Sequence, residues 1–106
     1  MAYLETIGEP VNGYRCRILV NKDSLRTTVQ VNHESGDCES LKLPFSNVDK
    51  LRSWLIDPIP EECKQMRRFV GRFPSEERGA IERCIQLAAR KCSAHAYLRK
   101  SEAADS

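Results

Sequence analysis

The sequence predicts an α+β fold in which a four-stranded antiparallel sheet is packed on one face by about three helices. The first half of the chain alternates polar and apolar side chains between short turns, which is typical of half-buried strands. The second half repeats apolar side chains every three or four positions, as amphipathic helices do. Short turns join consecutive strands as antiparallel neighbours. We expect a single domain over residues 1–100 and a disordered tail over residues 101–106.

The four expected strands are separated by turn-forming residues. They cover Tyr3–Ile7, Tyr14–Val20, Leu25–Asn32 and Cys38–Leu43. In the second strand, Cys16, Ile18 and Val20 share one face. In the third strand, Leu25 and Val29 belong to the inward set. Because helices are expected on only one side of the sheet, the opposite, polar face stays open.

Three helices are expected after the sheet. Ser46 is the predicted N-cap of the first and Ser75 that of the third, since serine side chains accept hydrogen bonds from the free N–H groups of a first helical turn. The second helix is expected to start within Asp57–Glu62 and to end at Gly71, because proline and acidic residues suit a first turn. The apolar stripe of the third helix consists of Ile81, Cys84, Ile85, Ala88 and Cys92.

The composition excludes several classes of protein. With 41% hydrophobic and 30% charged residues, this chain of 106 residues has the composition of a globular domain. A net charge of +2 and a pI near 8.3 are milder than in typical nucleic-acid-binding domains, whose pI exceeds about 9. No apolar run approaches the roughly 20 residues of a membrane span, so we expect no membrane partner.

The five cysteines indicate a reducing compartment. They are odd in number and scattered, without a Cys-x-x-Cys pair, whereas small secreted domains show even numbers at closer spacing. The N-terminal residues Met1–Glu5 lack the basic and apolar regions of a signal peptide. We therefore expect a cytoplasmic location.

The sequence offers little catalytic chemistry. Cys92 and His95 are three residues apart on one helix face, but two further ligands of a zinc site are missing. His33 or His95 could be combined with a cysteine for nucleophilic catalysis, and no local signature supports that combination. Glycine-rich phosphate loops and nucleophile elbows are also missing. We predict a protein that is not an enzyme and that uses no metal or cofactor.

Two basic surfaces are candidates for binding. The open face of the predicted sheet carries Arg15, Arg17, Arg26 and Lys42. Such a face suits either phosphate groups or an acidic protein surface, although only Tyr3 is placed to stack on a base. A second, helical surface carries Lys64, Arg68 and Arg72, a spacing that an ordinary solvated helix face also has. The sheet face is the stronger candidate because no helix is expected to cover it.

The order of the strands and one helix motif carry a family resemblance. A short first strand with Tyr3-Leu4 and three further strands precede Phe45-Ser46-x-x-x-Lys50-Leu51-Arg52-Ser53-Trp54-Leu55. From about Tyr3 to Trp54, this pattern resembles a family of small phage anti-CRISPR proteins that act on the type I-F surveillance complex. Gly79-Ala80-Ile81-Glu82-Arg83 is similar to the start of that family's final helix. Relative to the family, residues Asp57 to Pro74 are an addition, expected to form an extra helix.

The resemblance implies a four-stranded sheet backed by helices and a stoichiometric inhibitor without catalysis. Members of this family bind the Cas7-type backbone subunits that hold the guide RNA, and so prevent target DNA from hybridising. They make contact through two tyrosines and a glutamate, which correspond by position to Tyr3, Asn21 and Asn32. Only Tyr3 keeps the residue type of the family, while Arg26 matches the basic residue of the family's third strand.

We therefore expect a phage-encoded, protein-binding inhibitor that acts in the cytoplasm of a bacterial host on proteins of a type I CRISPR surveillance complex. The predicted contact residues are Tyr3, Arg15, Arg17, Asn21, Arg26, Gln30 and Asn32. The helical surface of Lys64, Arg68 and Arg72 is a second candidate. The alternative function is a small nucleic-acid-binding module that uses the same sheet face on guide RNA or another nucleic-acid backbone.

Overall fold

The computed structural model describes residues 3–95 and residue 98, and over them it confirms the predicted α+β fold. The strands are β1 (Tyr3–Ile7), β2 (Tyr14–Asn21), β3 (Arg26–His33) and β4 (Cys38–Pro44). The helices are α1 (Val48–Ile56), α2 (Lys64–Val70) and α3 (Arg78–Ser93), and a 3₁₀ turn (Ser75–Glu77) leads into α3. The strands form one antiparallel sheet in the order β1-β2-β3-β4.

The two faces of the sheet follow the alternation of the sequence. Cys16, Ile18 and Val20 of β2 are each 0% exposed on the inner face. Their neighbours along the strand lie on the outer face, where Arg15 is exposed and Leu19 is half-buried. The register therefore separates an apolar layer that packs against the helices from a polar layer that faces away from them.

Helix α3 covers the inner face by packing on β1 and β2, and α1 and α2 pack against α3. The buried stripe predicted for α3 is confirmed, and Ile81, Cys84 and Ile85 are each 0% exposed. The chain and α3 come close together just after the end of β1. A Cβ atom placed on Gly8 would lie 2.9 Å from the Cα and Cβ atoms of Ala88. Only glycine fits between the two backbones at this position.

The predicted starts of the three helices are wrong by a few residues. Asn47, rather than Ser46, caps α1, and its Oδ1 accepts a hydrogen bond from the Lys50 backbone N–H at 2.9 Å. Helix α2 begins at Lys64 and not within Asp57–Glu62. Asp57 and Ile59 each precede a proline, which disfavours the helical region, and Pro60–Cys63 form a turn in which the Cys63 N–H donates to the Pro60 carbonyl at 3.1 Å. Ser75 begins the 3₁₀ turn and makes no capping bond.

The predicted start of the third strand at Leu25 is also wrong. Leu25 has a positive φ of 65° and closes the turn between β2 and β3 by donating its backbone N–H to the Asn21 carbonyl at 2.7 Å. The strand begins one residue later, at Arg26. A short hairpin loop of this kind needs a residue in the left-handed region before the strand resumes. The Leu25 side chain still packs against the core as predicted.

None of the helices in the described part of the chain is long and apolar enough to cross a membrane. The tail predicted over residues 101–106 lies outside the described residues.

Candidate functional site

The outer face of the sheet is the candidate site. None of the described helices packs on it, and it consists of alternate residues of all four strands. From β1 to β4 these residues are Tyr3, Glu5, Ile7, Arg15, Arg17, Leu19, Asn21, Arg26, Thr28, Gln30, Asn32, Cys38, Ser40, Lys42 and Pro44. The structure brings all of the predicted contact residues together on this face. The β1 edge also exposes two large apolar side chains, Tyr3 at 52% and Ile7 at 43%.

Basic side chains from the helical region cover one backbone carbonyl on each free edge of the sheet. The Lys91 Nζ of α3 donates to the Ile7 carbonyl of β1 at 3.0 Å. The Arg72 Nη1 donates to the Ser40 carbonyl of β4 at 3.3 Å and pairs with Glu39 at 3.2 Å. Charged groups on an edge oppose the addition of another strand. The outer face is therefore a more accessible binding surface than either edge.

An ion pair neutralises the middle of the outer face. Arg17 of β2 pairs with Glu5 of the neighbouring strand β1, and both side chains are about two-fifths exposed. Opposite Arg17 on the other side lies Gln30, which is uncharged. Arg17 and Gln30 are thus placed on the face as predicted, but the charge of Arg17 has a partner within the protein.

One end of the face forms a cavity of about 370 Å³, the Arg26 pocket. Its lining residues are Tyr3, Asn21, Ser24, Arg26, Thr28 and Lys42. Three of the predicted contact residues thus surround a single depression. Thr28 and Lys42 belong to it through the same period-two alternation that predicted the face. Ser24 was missed because it lies in the turn after β2, where strand periodicity carries no information.

The opposite end forms a cavity of about 470 Å³, the Arg15 pocket. It is lined by Pro10, Gly13, Arg15, Asn32, His33 and Glu34, so a cation and a carboxylate share it. Local contacts hold the His33 ring, whose centroid lies 4.5 Å from that of Tyr14 and whose Nδ1 accepts the Ser35 backbone N–H at 3.1 Å. The two pockets therefore differ in charge although both contain an arginine.

The unpaired cations of the outer face form two groups that are far apart, Arg15 at one end and Arg26 with Lys42 at the other. Along β2, the row of Arg15 and the row beside Arg26 are separated by six residues, or about 20 Å at roughly 3.3 Å per residue. Among the described residues, neither Arg15, Arg26 nor Lys42 forms an ion pair. The face therefore has a neutral middle and carries its unpaired cations at its two ends, where Arg15 shares its pocket with Glu34 and Arg26 shares its pocket with Lys42.

The second predicted surface is less available than its sequence indicates, because only Lys64 and Arg68 lie on α2 and Arg72 follows the end of that helix. Arg72 is held against β4 by Glu39, and its guanidinium lies 5.4 Å from the centroid of the Phe69 ring. Lys64 and Arg68 are exposed and form no ion pair with any residue that the structure describes. This surface offers two separate cations rather than the predicted row of three.

Three of the five cysteines lie in the core. Cys16, Cys84 and Cys92 are each 0% exposed. Burial raises the pKa of Cys84 to about 12 and that of Cys16 well above its usual value, so these thiols stay protonated and unreactive near neutral pH. Within residues 3–95 and 98, no three His, Cys, Asp or Glu side chains come together as a metal site would require.

The fold and this face define a class of protein, a small α+β domain in which one face of the sheet is polar, carries an arginine at each end and is covered by none of the described helices. No protein-family model matches the sequence, and no match was found among curated proteins or solved structures.

Proposed function

We propose that this protein is a non-catalytic inhibitor that binds another protein through its outer sheet face. Its proposed target is the Cas7-type backbone of a type I CRISPR surveillance complex, where a bound inhibitor prevents target DNA from pairing with the guide. The open, polar face is the observation that carries the proposal. The choice of target rests on the resemblance of residues 3–54 to the anti-CRISPR family.

The proposed mechanism is a steric block by a preformed surface. The backbone of the outer face is held by pairing across four strands, and most of the side chains on the opposite face of the sheet are buried. A rigid surface loses little conformational entropy when it binds, so more of the contact energy appears as affinity. Tyr3 is half-exposed at one corner of the face and offers an aromatic anchor of the kind that dominates many interfaces.

The test is target-DNA binding by a purified type I-F surveillance complex with and without this protein. We expect the protein to co-elute with the complex and to abolish DNA binding at a stoichiometric ratio. The variant Tyr3→Ala/Arg26→Glu removes the aromatic group and reverses one charge on the outer face, so we expect it to lose inhibition. Lys50→Glu is the matched control, because Lys50 is exposed on α1 and lies outside the face.

Full inhibition by the double variant would show that the sheet-face proposal is wrong and would direct attention to Lys64 and Arg68. Loss of inhibition by Lys50→Glu as well would indicate a non-specific charge effect. No effect of the wild-type protein on the complex, with no co-elution, would reject this target.

A second candidate function is nucleic-acid binding through the same face. The unpaired side chains of Arg15, Arg26 and Lys42 favour it. Against it stand the neutral middle of the face and the single aromatic ring, Tyr3, among the outer-face residues. The two functions respond differently to salt, since a protein with about six phosphate contacts loses roughly 10³-fold in affinity between 50 and 200 mM salt. A gel-shift series of the protein alone with DNA and RNA measures this directly.

A further inference from the structure

The Arg26 pocket is lined almost entirely by hydrogen-bond donors. Arg26 and Lys42 contribute positively charged N–H groups, and Tyr3, Ser24 and Thr28 contribute hydroxyl groups. No carboxylate belongs to the lining among the residues that the structure describes. In this respect it differs from the Arg15 pocket, which contains Glu34, and from the middle of the face, where Glu5 pairs with Arg17.

Two acceptor atoms of the pocket are already occupied by the turn between β2 and β3. The Asn21 Oδ1 accepts the backbone N–H groups of Asp23 at 2.9 Å and of Ser24 at 3.1 Å. The Ser24 Oγ accepts the backbone N–H of Arg26 at 3.3 Å. What these two side chains still offer is an amide NH₂ group and a hydroxyl proton. The turn therefore leaves the pocket with donors in excess of acceptors.

The two cations of the pocket are close neighbours without a counter-charge. Lys42 lies opposite Thr28, and Arg26 lies opposite Pro44, so Arg26 and Lys42 are diagonal neighbours across β3 and β4. Diagonal positions on one face are about 7–8 Å apart, within the reach of both long side chains. Neither cation has an acidic partner among the described residues. An anion bound between them replaces a repulsion with two attractions.

The space beside the pocket is suited to a short aliphatic stem. A second cavity of about 250 Å³ shares Arg26, Thr28 and Lys42 with the pocket, and its further lining residues are Thr27, Leu43 and Pro44. Because Thr27 and Leu43 are buried towards the core, the exposed apolar side chain among these three is that of Pro44. A ligand with a negatively charged group and a few methylene groups would place its charge in the Arg26 pocket and its methylene groups in the cavity beside it. Aspartate and glutamate side chains have this form.

We propose that the Arg26 pocket binds the carboxylate side chain of an aspartate or glutamate on a partner protein, an inference that rests on the proposed protein-binding function. The next unpaired arginine, Arg15, is about 20 Å away along the strands. A nucleic-acid strand carries a phosphate about every 3.4 Å and favours a continuous row of cations instead. An isolated pair of cations with a neutral surround matches a single acidic side chain.

The test uses the isolated full-length protein, labelled with ¹⁵N for NMR, and a blocked alanine peptide that contains two glutamates. The control peptide has glutamine in place of glutamate. We expect the glutamate peptide, and not the glutamine peptide, to shift the Arg26 Nε–H signal and the backbone amide signals of Thr28 and Lys42. In Arg26→Ser/Lys42→Ser we expect at least about fivefold weaker binding, since two charged contacts are lost.

The matched control is Lys50→Ser/Arg83→Ser, which removes the same charge from exposed helical positions and should bind the peptide as the wild type does. Unchanged amide spectra outside the substituted sites confirm that both variants fold. Equal responses to the two peptides, or no response at Arg26, would overturn the proposal. So would an oligonucleotide that shifts the same signals at lower concentration than the glutamate peptide does.

This experiment separates the pocket from the proposed inhibition. Binding of the glutamate peptide at Arg26, together with no effect on the surveillance complex, would retain the carboxylate pocket and reject the CRISPR target. Inhibition of the complex that survives Arg26→Ser/Lys42→Ser would retain the proposed function and reject the pocket as its contact.

Discussion

The two faces of the same sheet have opposite roles, although their residues alternate along the same strands. On β2, Ile18 is 0% exposed beneath α3, while its neighbour Leu19 is half-buried on the outer face beside Thr28. The inner face is apolar and covered, so it stabilises the fold. The outer face is polar and uncovered, so its side chains are available to a partner. We therefore expect a substitution at an inner-face position to affect stability and a substitution at the next position along the strand to affect binding.

The largest expected effect comes from comparing two adjacent aliphatic residues. We expect Ile18→Ala to lower the free energy of unfolding by about 2–5 kcal/mol, because it removes buried methyl groups and leaves a cavity under α3. Leu19→Ala should cost about 1 kcal/mol or less, since Leu19 already contacts water. Urea denaturation of both variants measures the difference. Similar losses for both would contradict the assignment of the two faces.

Raising the pH should destabilise the protein through the thiols that are buried in its core, one on β2 and two on α3. The pKa of Cys84 is raised by burial to about 12, and burial also raises the pKa values of Cys16 and Cys92. Above a pH of about 8.5, thiols of the unfolded chain lose protons that the folded protein retains, so stability falls as the pH rises. We expect a loss of at least about 1 kcal/mol between pH 8 and pH 10.

The measurement is urea denaturation across this pH range in the presence of a reductant. Cys84→Ala should reduce the pH dependence, because it removes one of the buried thiols. Cys38→Ser removes an exposed cysteine from the outer face and is the control for the loss of a thiol outside the core. A slope that Cys84→Ala does not alter would assign the pH effect to other groups.

Two glycines allow a tightly packed position to be compared with an open one. Gly8→Ala places a Cβ atom 2.9 Å from the Cα of Ala88, and we expect a loss of about 1–3 kcal/mol as β1 and α3 separate. Gly79→Ala meets nothing within 4 Å in the first turn of α3, so it should raise stability by about 0.5–1 kcal/mol. Thermal unfolding of the two variants should therefore shift in opposite directions.

The smallest expected effect on stability is on the outer face. Glu5→Gln removes the partner of Arg17, and an exposed ion pair contributes at most about 1 kcal/mol. The variant should nevertheless bind single-stranded DNA more strongly than the wild type, because it fills the neutral gap between the two positive ends. A gel-shift titration at low salt measures this. Equal binding by both proteins would show that Glu5 does not limit contact with nucleic acid.

Most of the sheet could be predicted from the sequence, because the alternation of polar and apolar residues within each strand indicates which side chains are buried. The inward set of β2 and the outward set of Arg15, Arg17 and Leu19 follow from a period of two, and the structure places both as expected. Helix starts were harder to predict because neighbouring residues compete for the same role. Asn47 and Ser46 are both good capping residues, and the backbone conformation decides in favour of Asn47.

The site itself could be predicted as a list of residues but not as a surface. Alternation assigns Tyr3, Asn21 and Arg26 to one face without showing that they surround the same cavity. It gives no sign that the Asn21 side chain also holds the turn after β2, or that Ser24 belongs to the lining. These properties depend on how the turn folds and on which strand lies beside which.

The sequence by itself determined the fold class, the two faces of the sheet and the apolar stripe of α3, because these depend on periodicity between near neighbours in the chain. Only the tertiary structure decided which charges remain free. Glu5 meets Arg17 across two strands, Arg72 reaches Glu39, and Lys91 reaches the Ile7 carbonyl 84 residues away. Ion pairing acts through distance in space, so one-dimensional spacing cannot tell a neutralised cation from an available one.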